Sequence, residues 1–222
     1  MILILNTITN AEFRTMFHGC IRDKIYPRYK VRDLGIGENS GDLSNYTHLI
    51  ISGSSLSTVT GSPFEAGFME VIDHFYEHDK AILGICYGHQ LLAKYLGGEQ
   101  KVRKAVQPQF GFRRIELENN PLFKDITEIY SMVAHFDEVA DLDSHYKIIA
   151  KDNEGVIQGY QYSGRRLWGI QFHPEYDYFS GYASWQRKLR NNPKWIKFYQ
   201  NEVPSYTLTS DNSKVFSNFI GL

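Results

Sequence analysis

Three side chains in this sequence form a set able to carry out acyl transfer. Cys86 lies in Gly84-Ile85-Cys86-Tyr87-Gly88, after the apolar run Ala81–Ile85 and before a segment with Leu91, Leu92, Tyr95 and Leu96 at helical spacing. A nucleophile between two glycines, at the point where a strand runs into a helix, is the nucleophile-elbow pattern, here with sulfur in place of a hydroxyl. Such a turn exposes the nucleophile, and the helix N-terminus stabilises negative charge on it. The N–H of Tyr87, one residue on, is placed to donate to an oxyanion. A cysteine alone would read as a packing residue, which is the reading given to Cys20 inside the first helical pattern. Spacing and context set Cys86 apart.

A thiolate in acyl transfer needs a base that later protonates the leaving amine, and the base needs an orienting group. Gly169-Ile170-Gln171-Phe172-His173-Pro174-Glu175 supplies both at the end of an apolar run. His173 and Glu175 are two apart, so an extended chain turns both to one side. Pro174 restricts His173 to that extended form. Without Cys86 the pair would read as an ordinary strand end.

The elements that must position these groups follow from periodicity. Continuous apolar runs at Met1–Leu5, His48–Ser52 and Ala81–Ile85 predict strands buried on both faces, and Tyr29–Leu34 predicts another by alternation. Helical patterns cover Ala11 to about Ile25, with Thr9 and Glu12 at capping-box spacing, the stretch after Pro63, and the stretch closed by Gly97-Gly98. This alternation predicts an α/β fold, a doubly wound, mostly parallel sheet with helices on both faces. The second half predicts short strands at Phe110–Leu117, Ile129–Val133, Tyr146–Ala150, Val156–Tyr162 and Leu167–Phe172, a turn at Asn119–Pro121, and a closing helix near Lys214–Ile220. The nucleophile would lie at the carboxyl end of a strand, where such sheets bind ligands.

Gly84-Ile-Cys-Tyr-Gly-His-Gln90 followed far downstream by Phe172-His-Pro-Glu175 resembles the class I, triad-type glutamine amidotransferases, in the manner of GMP synthetase glutaminase domains and stand-alone γ-glutamyl peptidases. The resemblance covers roughly Met1 to Glu175. It implies Cys86 as nucleophile, His173 as base and acid, and Glu175 as orienting group. It also implies a second oxyanion donor in the loop after the third strand, at Gly53 or Ser54, beside Tyr87. That loop lacks the family's Gly-Gly-Pro sequence. Gln90 corresponds to the family's contact with the substrate head group. His135-Phe136-Asp137 matches its His-Gly-Asp segment, with Phe136 in place of glycine. The implied reaction is cleavage of a γ-glutamyl amide through a glutamyl thioester, with no metal or organic cofactor. The implied substrate is glutamine, with ammonia passing to a separate synthase. Two alternatives stay open: a stand-alone γ-glutamyl peptide hydrolase, and a non-catalytic partner subunit whose pocket Phe136 closes.

Composition excludes other classes. With 24 Lys plus Arg against 25 Asp plus Glu, the net charge of −1 recommends neither nucleic acid nor an anionic membrane as partner. Two cysteines make no disulfide scaffold and suit a reducing, cytoplasmic setting. The opening apolar run is too short for a signal segment, and no run approaches the ~20 apolar residues of a membrane span. His74 and His78 have a metal-binding spacing but no convincing third ligand, so they read as a solvated helix face. The 222 residues, 42% hydrophobic and 22% charged, predict one domain over 1–222. Within it, the aromatic and basic stretch 180–209 is expected to be an insertion at the active-site mouth, forming a lid or a partner surface, with a peripheral helix packed on the sheet and its basic residues in water as the alternative.

Overall fold

The computed structural model describes residues 1–25, 31–205, 209 and 212–222. Four short parallel strands form one end of its sheet: β1 (Ile2–Leu5), β2 (Val31–Leu34), β3 (His48–Ile51) and β4 (Ala81–Ile85), in the order β2-β1-β3-β4 with β2 at the edge. Alternate residues of each strand face opposite layers, which is why β1 and β4 are apolar throughout, whereas the edge strand β2 carries Arg32 and Asp33. Ile2 and Ile4 face Phe17, Ile21 and Ile25 of α1 (Ala11–Ile25) and Val215, Phe216 and Phe219 of α5 (Lys214–Ile220). Leu3 and Leu5 face the opposite layer, where α2 (Glu65–Glu77) contributes Phe68, Ile72 and Phe75 and α3 (Tyr87–Gly97) contributes Leu91 and Leu92. The predicted α/β architecture with helices on both faces is the one observed.

Beyond β4 the sheet turns mixed. It continues through β9 (Leu167–Ile170), β8 (Ile157–Tyr162), β7 (Tyr146–Asp152), β5 (Val102–Leu117) and β10 (Tyr199–Asn201), and β6 (Ile129–Val139) pairs β5 off this path. Pairing is parallel at β4–β9 and β5–β10, and antiparallel among β5, β6, β7, β8 and β9. α4 (Tyr178–Asn191) covers β5 and β6, where Trp185 packs with Phe110, Phe112 and Met132 in a third apolar cluster.

Several expectations need correction. β5 begins at Val102 and β6 runs on to Val139, so these strands are not short. A register shift between Lys104 and Gln109 interrupts their alternation, and Pro108 inside it has no N–H for the ladder. The cap of α1 is Asn10, whose Oδ1 accepts the Phe13 N–H at 3.1 Å, whereas the Thr9 hydroxyl lies 3.3 Å from Ser55 Oγ. Tyr29 and Lys30 of the expected second strand lie outside the described residues. Stretch 180–209 includes most of α4, a 3₁₀ segment at Pro193–Phe198, and β10 on the edge of the sheet. Among the described residues no helix is long and apolar enough to cross a membrane.

The approach of α3 to the sheet leaves no room at two glycines. A Cβ on Gly84 would sit 2.4 Å from the Gly88 carbonyl oxygen, and one on Gly88 would sit 2.6 Å from that of Ile51. Gly19, exposed in the middle of α1, would meet nothing within 4 Å. Gly84→Ala should therefore destabilise by about 1–3 kcal/mol through overpacking against backbone. Gly19→Ala should stabilise by about 0.5–1 kcal/mol. Thermal melts of the two variants, one below and one above the parent, check the pair.

Candidate active site

Strand β4 delivers Cys86 at its carboxyl end, where the backbone turns into α3 with φ 51° and ψ −101°. A residue with a side chain held at positive φ costs on the order of 1–3 kcal/mol. The turn is fixed on both sides: the Cys86 N–H donates to Ile170 O at 2.8 Å, and its carbonyl accepts the Gln90 N–H at 3.2 Å. Parallel pairing of Ile85 with Ile170 sets the segment carrying His173 beside this elbow. β6 then anchors the His173 backbone, which donates to Met132 O at 2.8 Å and accepts from Ser131 Oγ at 3.0 Å.

His173 Nδ1 lies 2.6 Å from Glu175 Oε1, which leaves Nε2 to face the sulfur. Both side chains are buried, and the Tyr176 ring stacks on the imidazole at 5.4 Å. Burial opposes imidazolium, but the Glu175 charge and then the neighbouring Cys86 outweigh it and raise the His173 pKa well above the usual histidine value. Lys24 of α1 donates to the Glu175 carbonyl and ties this segment to the first helix. Cys86, His173 and Glu175 are thus brought together as expected.

The loop after β3 closes the third side. A Cβ on Gly53 would sit 2.8 Å from His173 Cε1 and 3.4 Å from Cys86 Cβ, so only glycine fits between loop and triad. The Gly53 carbonyl accepts from Thr7 Oγ1 at 3.2 Å and Ser52 Oγ at 3.0 Å. In a planar trans peptide the following N–H, that of Ser54, points the opposite way, away from Thr7. Ser54 Oγ in turn donates to Thr7 O at 2.6 Å, which fixes the loop to the end of β1.

Gln90 and the 135–137 segment meet on the other side of Cys86. Gln90 Nε2 donates to Asp137 O at 2.7 Å and Gln171 Oε1 at 3.0 Å, and its Oε1 accepts from Thr58 at 3.3 Å. His135 lies in β6, not in a turn, with its ring 3.0 Å from Asp137 O and 3.1 Å from the Gln109 amide. Burial pushes the His135 pKa down to about 4, so this ring is neutral at physiological pH. The Asp137 carboxylate accepts from Ser57 Oγ at 2.6 Å and pairs with Lys104 Nζ at 2.7 Å. Phe136 packs against Phe110 at 5.1 Å and Trp195 at 4.9 Å, which makes it a wall of the site.

Two cavities meet at Cys86. One, about 490 Å³, is lined by Gln90, His135, Phe136 and Asp137; the other, about 200 Å³, by His173, Glu175, Phe13 and Asn191. Ser54, Ser55, Cys86, Ala134, Lys188 and Trp195 border both. Stretch 180–209 therefore does reach the site, through Lys188 and Trp195.

Sequence reasoning missed the residues that hold these groups. Gln171 carried a signal, since it shares the period-two face of His173 and Glu175. His89, within the quoted motif, is fully buried against Tyr160 at 4.9 Å, and burial depresses its pKa to about 3. Ser57, Lys104 and Gln109 had no local signal, because each acts on a residue reached only through the tertiary fold, whereas Tyr176 stacks on His173 only three residues before it.

The sequence model of the family described as Glutamine amidotransferase class-I matches residues 28–183. The glutamine-hydrolyzing GMP synthase of Thermotoga petrophila is 36% identical over 166 residues, which cover 74% of this chain and 31% of that protein. One of the subunits of the glutamine-hydrolyzing GMP synthase of Pyrococcus furiosus is 32% identical over 108 residues, covering 48% of this chain and 56% of that one. The chain thus spans less than two thirds of the length of either relative. A glutamine amidotransferase from Thermotoga maritima superposes with a TM-score of 0.74 at 18% identity, covering 99% of this chain and 96% of that chain. One from Methylobacillus flagellatus gives 0.74 at 16% identity, covering 99% and 94%. With the family model spanning most of the sequence and these structures sharing its fold, the chain belongs to the class I glutamine amidotransferases.

Proposed function

We propose that this chain hydrolyses γ-glutamyl amides, with glutamine as first substrate, through a glutamyl thioester on Cys86. The observation that carries the reading is the His173 imidazole, held by Glu175 at 2.6 Å with its other nitrogen toward the elbow cysteine. The cysteine sulfur, as thiolate, bonds to the side-chain amide carbon, and the carbonyl oxygen becomes an oxyanion. Backbone N–H groups of Tyr87 and of Gly53 or Ser54 stabilise it; the orientation of the Gly53–Ser54 peptide favours Ser54. The C–N bond breaks as His173 gives its proton to the departing nitrogen. Water then bonds to the thioester carbon while His173 takes a proton, the C–S bond breaks, and glutamate leaves. Glu175 stays ionised and stabilises the imidazolium.

Gln90 and the 135–137 segment line the larger cavity, which suits the glutamyl head group. The family and the glutamine-hydrolyzing relatives support ammonia as the leaving amine, passed to a separate synthase. That a cavity of about 490 Å³ remains beside Cys86, with Phe136 in its wall, favours an enzyme over a closed, non-catalytic protein. The chemistry asks for no metal or organic cofactor.

Cys86→Ala should abolish turnover and leave the thermal melt close to that of the parent. Burial raises the pKa of the other thiol, Cys20, so iodoacetamide should modify Cys86 first, and glutamine should slow that modification. Hydrolysis that survives Cys86→Ala would remove the reading.

His173→Ala should cost at least the ~10²–10⁴ typical of general acid–base assistance. Glu175→Gln should be milder and carry a distinct signature. The Glu175 charge holds the His173 pKa up, so its removal lets the imidazole lose its proton at lower pH. The alkaline limb of the kcat/KM profile should therefore move to lower pH. A limb that stays in place, or moves upward, would show that Glu175 does not set the charge of His173.

A further inference from the structure

The two cavities at Cys86 have different chemical tasks, if the γ-glutamyl reading holds. The group that protonates the departing nitrogen must face it, and His173 lines only the smaller cavity. The leaving amine therefore belongs there. Ammonia needs far less space than the roughly 200 Å³ this cavity offers. Its charged lining is His173 and Glu175, which are committed to each other, and Lys188, which also borders the larger cavity.

Lys188 projects from α4, and its ammonium lies 5.0 Å from the centre of the Phe13 ring. Among the described residues no carboxylate lies within ion-pair distance of it, although nearby Arg187 pairs with Glu12. The ring face offers a desolvated cation only about 0.5–2 kcal/mol, well short of what a carboxylate supplies. Burial pushes the Lys188 ammonium below the usual lysine value, only partly countered by the charge of Cys86. Asn191 and Asn192, on the following turn, line the same cavity.

We propose that Lys188, poised over Phe13 in the cavity that His173 faces, is a carboxylate-binding residue that selects a leaving amine bearing a carboxylate, such as an amino acid or short peptide. The substrate class is then γ-glutamyl amino acids and peptides in addition to glutamine. The covalent steps are those above, with the amino-acid nitrogen in place of ammonia. This inference rests on the γ-glutamyl acyl-transfer reading but not on the identity of any partner.

The test compares matched pairs: γ-glutamylglycine and γ-glutamylglycylglycine, each beside its C-terminal amide. Acid and amide differ little in size, so their ratio of kcat/KM reads the charge. A charge-assisted hydrogen bond predicts a ratio of about tenfold to a hundredfold in favour of the acid for at least one pair. Lys188→Met should bring that ratio close to one, Lys188→Arg should largely keep it, and Lys188→Glu should reverse it. Equal use of acid and amide by the parent overturns the proposal. So does a preference that survives Lys188→Met, or a loss shared equally by acid and amide, as a lysine acting only on the thiolate would give.

Hydrolysis of glutamine with neither peptide cleaved defeats this inference and leaves the glutaminase reading intact. Where no compound turns over, protection of Cys86 from iodoacetamide is measured with the same pairs. Stronger protection by the acid, lost in Lys188→Met, supports the proposal. Equal protection by acid and amide defeats it alone, and no protection by any γ-glutamyl compound, glutamine included, defeats both readings.

Discussion

The close approach of α3 to the carboxyl ends of β3 and β4 is the constraint on which the rest depends. It is possible only because Gly84 and Gly88 present bare backbone where any side chain would collide with a carbonyl. It forces Cys86 into positive φ, at a cost of about 1–3 kcal/mol. The offset comes from the strands themselves. Ile50, Ile51, Leu83 and Ile85 are fully buried beside the turn, and each contributes roughly 1.5–3 kcal/mol by leaving water. Two such residues more than cover the strain, so the sheet can hold a conformation that an isolated loop would relax.

That constraint also decides where the partners of Cys86 must come from. The elbow leaves sulfur above the sheet edge of β4, and the next strand in space is β9, more than eighty residues away in sequence. The parallel register of β4 with β9 carries His173 past the elbow, and the bridge to Met132 stops it there. The same β6 that receives this bridge supplies His135, Phe136 and Asp137 a few residues on. One antiparallel strand therefore sets both the base and the wall of the larger cavity. A shift in its register by one residue would exchange inward and outward side chains and disturb both.

How much of this is legible in the sequence follows from the range over which each signal acts. The central strands and the helices over them can be read because Ile4, Phe17, Leu83 and Phe216 repeat at the period of their own element. The site pattern can be read because glycine spacing around Cys86 and the two-residue step from His173 to Glu175 are local facts. β5 and β6 read as shorter than they are because Lys104 and Pro108 break the alternation, and the bulge that absorbs them is a property of two strands together. Capping-box spacing puts the cap of α1 at Thr9, one residue early. Asn10 and Thr9 have equal local claims, and the contact with Ser55 that distinguishes them is tertiary. The supports at Ser57, Lys104 and Gln109 are invisible for the same reason. A residue that holds another one in place carries no mark of it in its own neighbourhood.

Two kinds of packing surround Cys86. Beside the larger cavity, Gln90, His135 and Asp137 are almost wholly buried and hydrogen-bonded to protein groups. In a low-dielectric interior a network of this kind is rigid, because moving one member leaves another without its partner at about 1–3 kcal/mol each. It therefore keeps that wall of the cavity in one arrangement. Both cavities also share a wall from Lys188 of α4 and Trp195 of the segment after it, held mainly by the aromatic cluster of Phe110, Trp185, Trp195 and Phe198. Aromatic packing is tolerant of volume-conserving change, where a buried polar network is not. The positions of Cys86, His173 and Glu175 are thereby fixed by the sheet and its network, while the wall that both cavities share rests on aromatic packing, which tolerates change more readily.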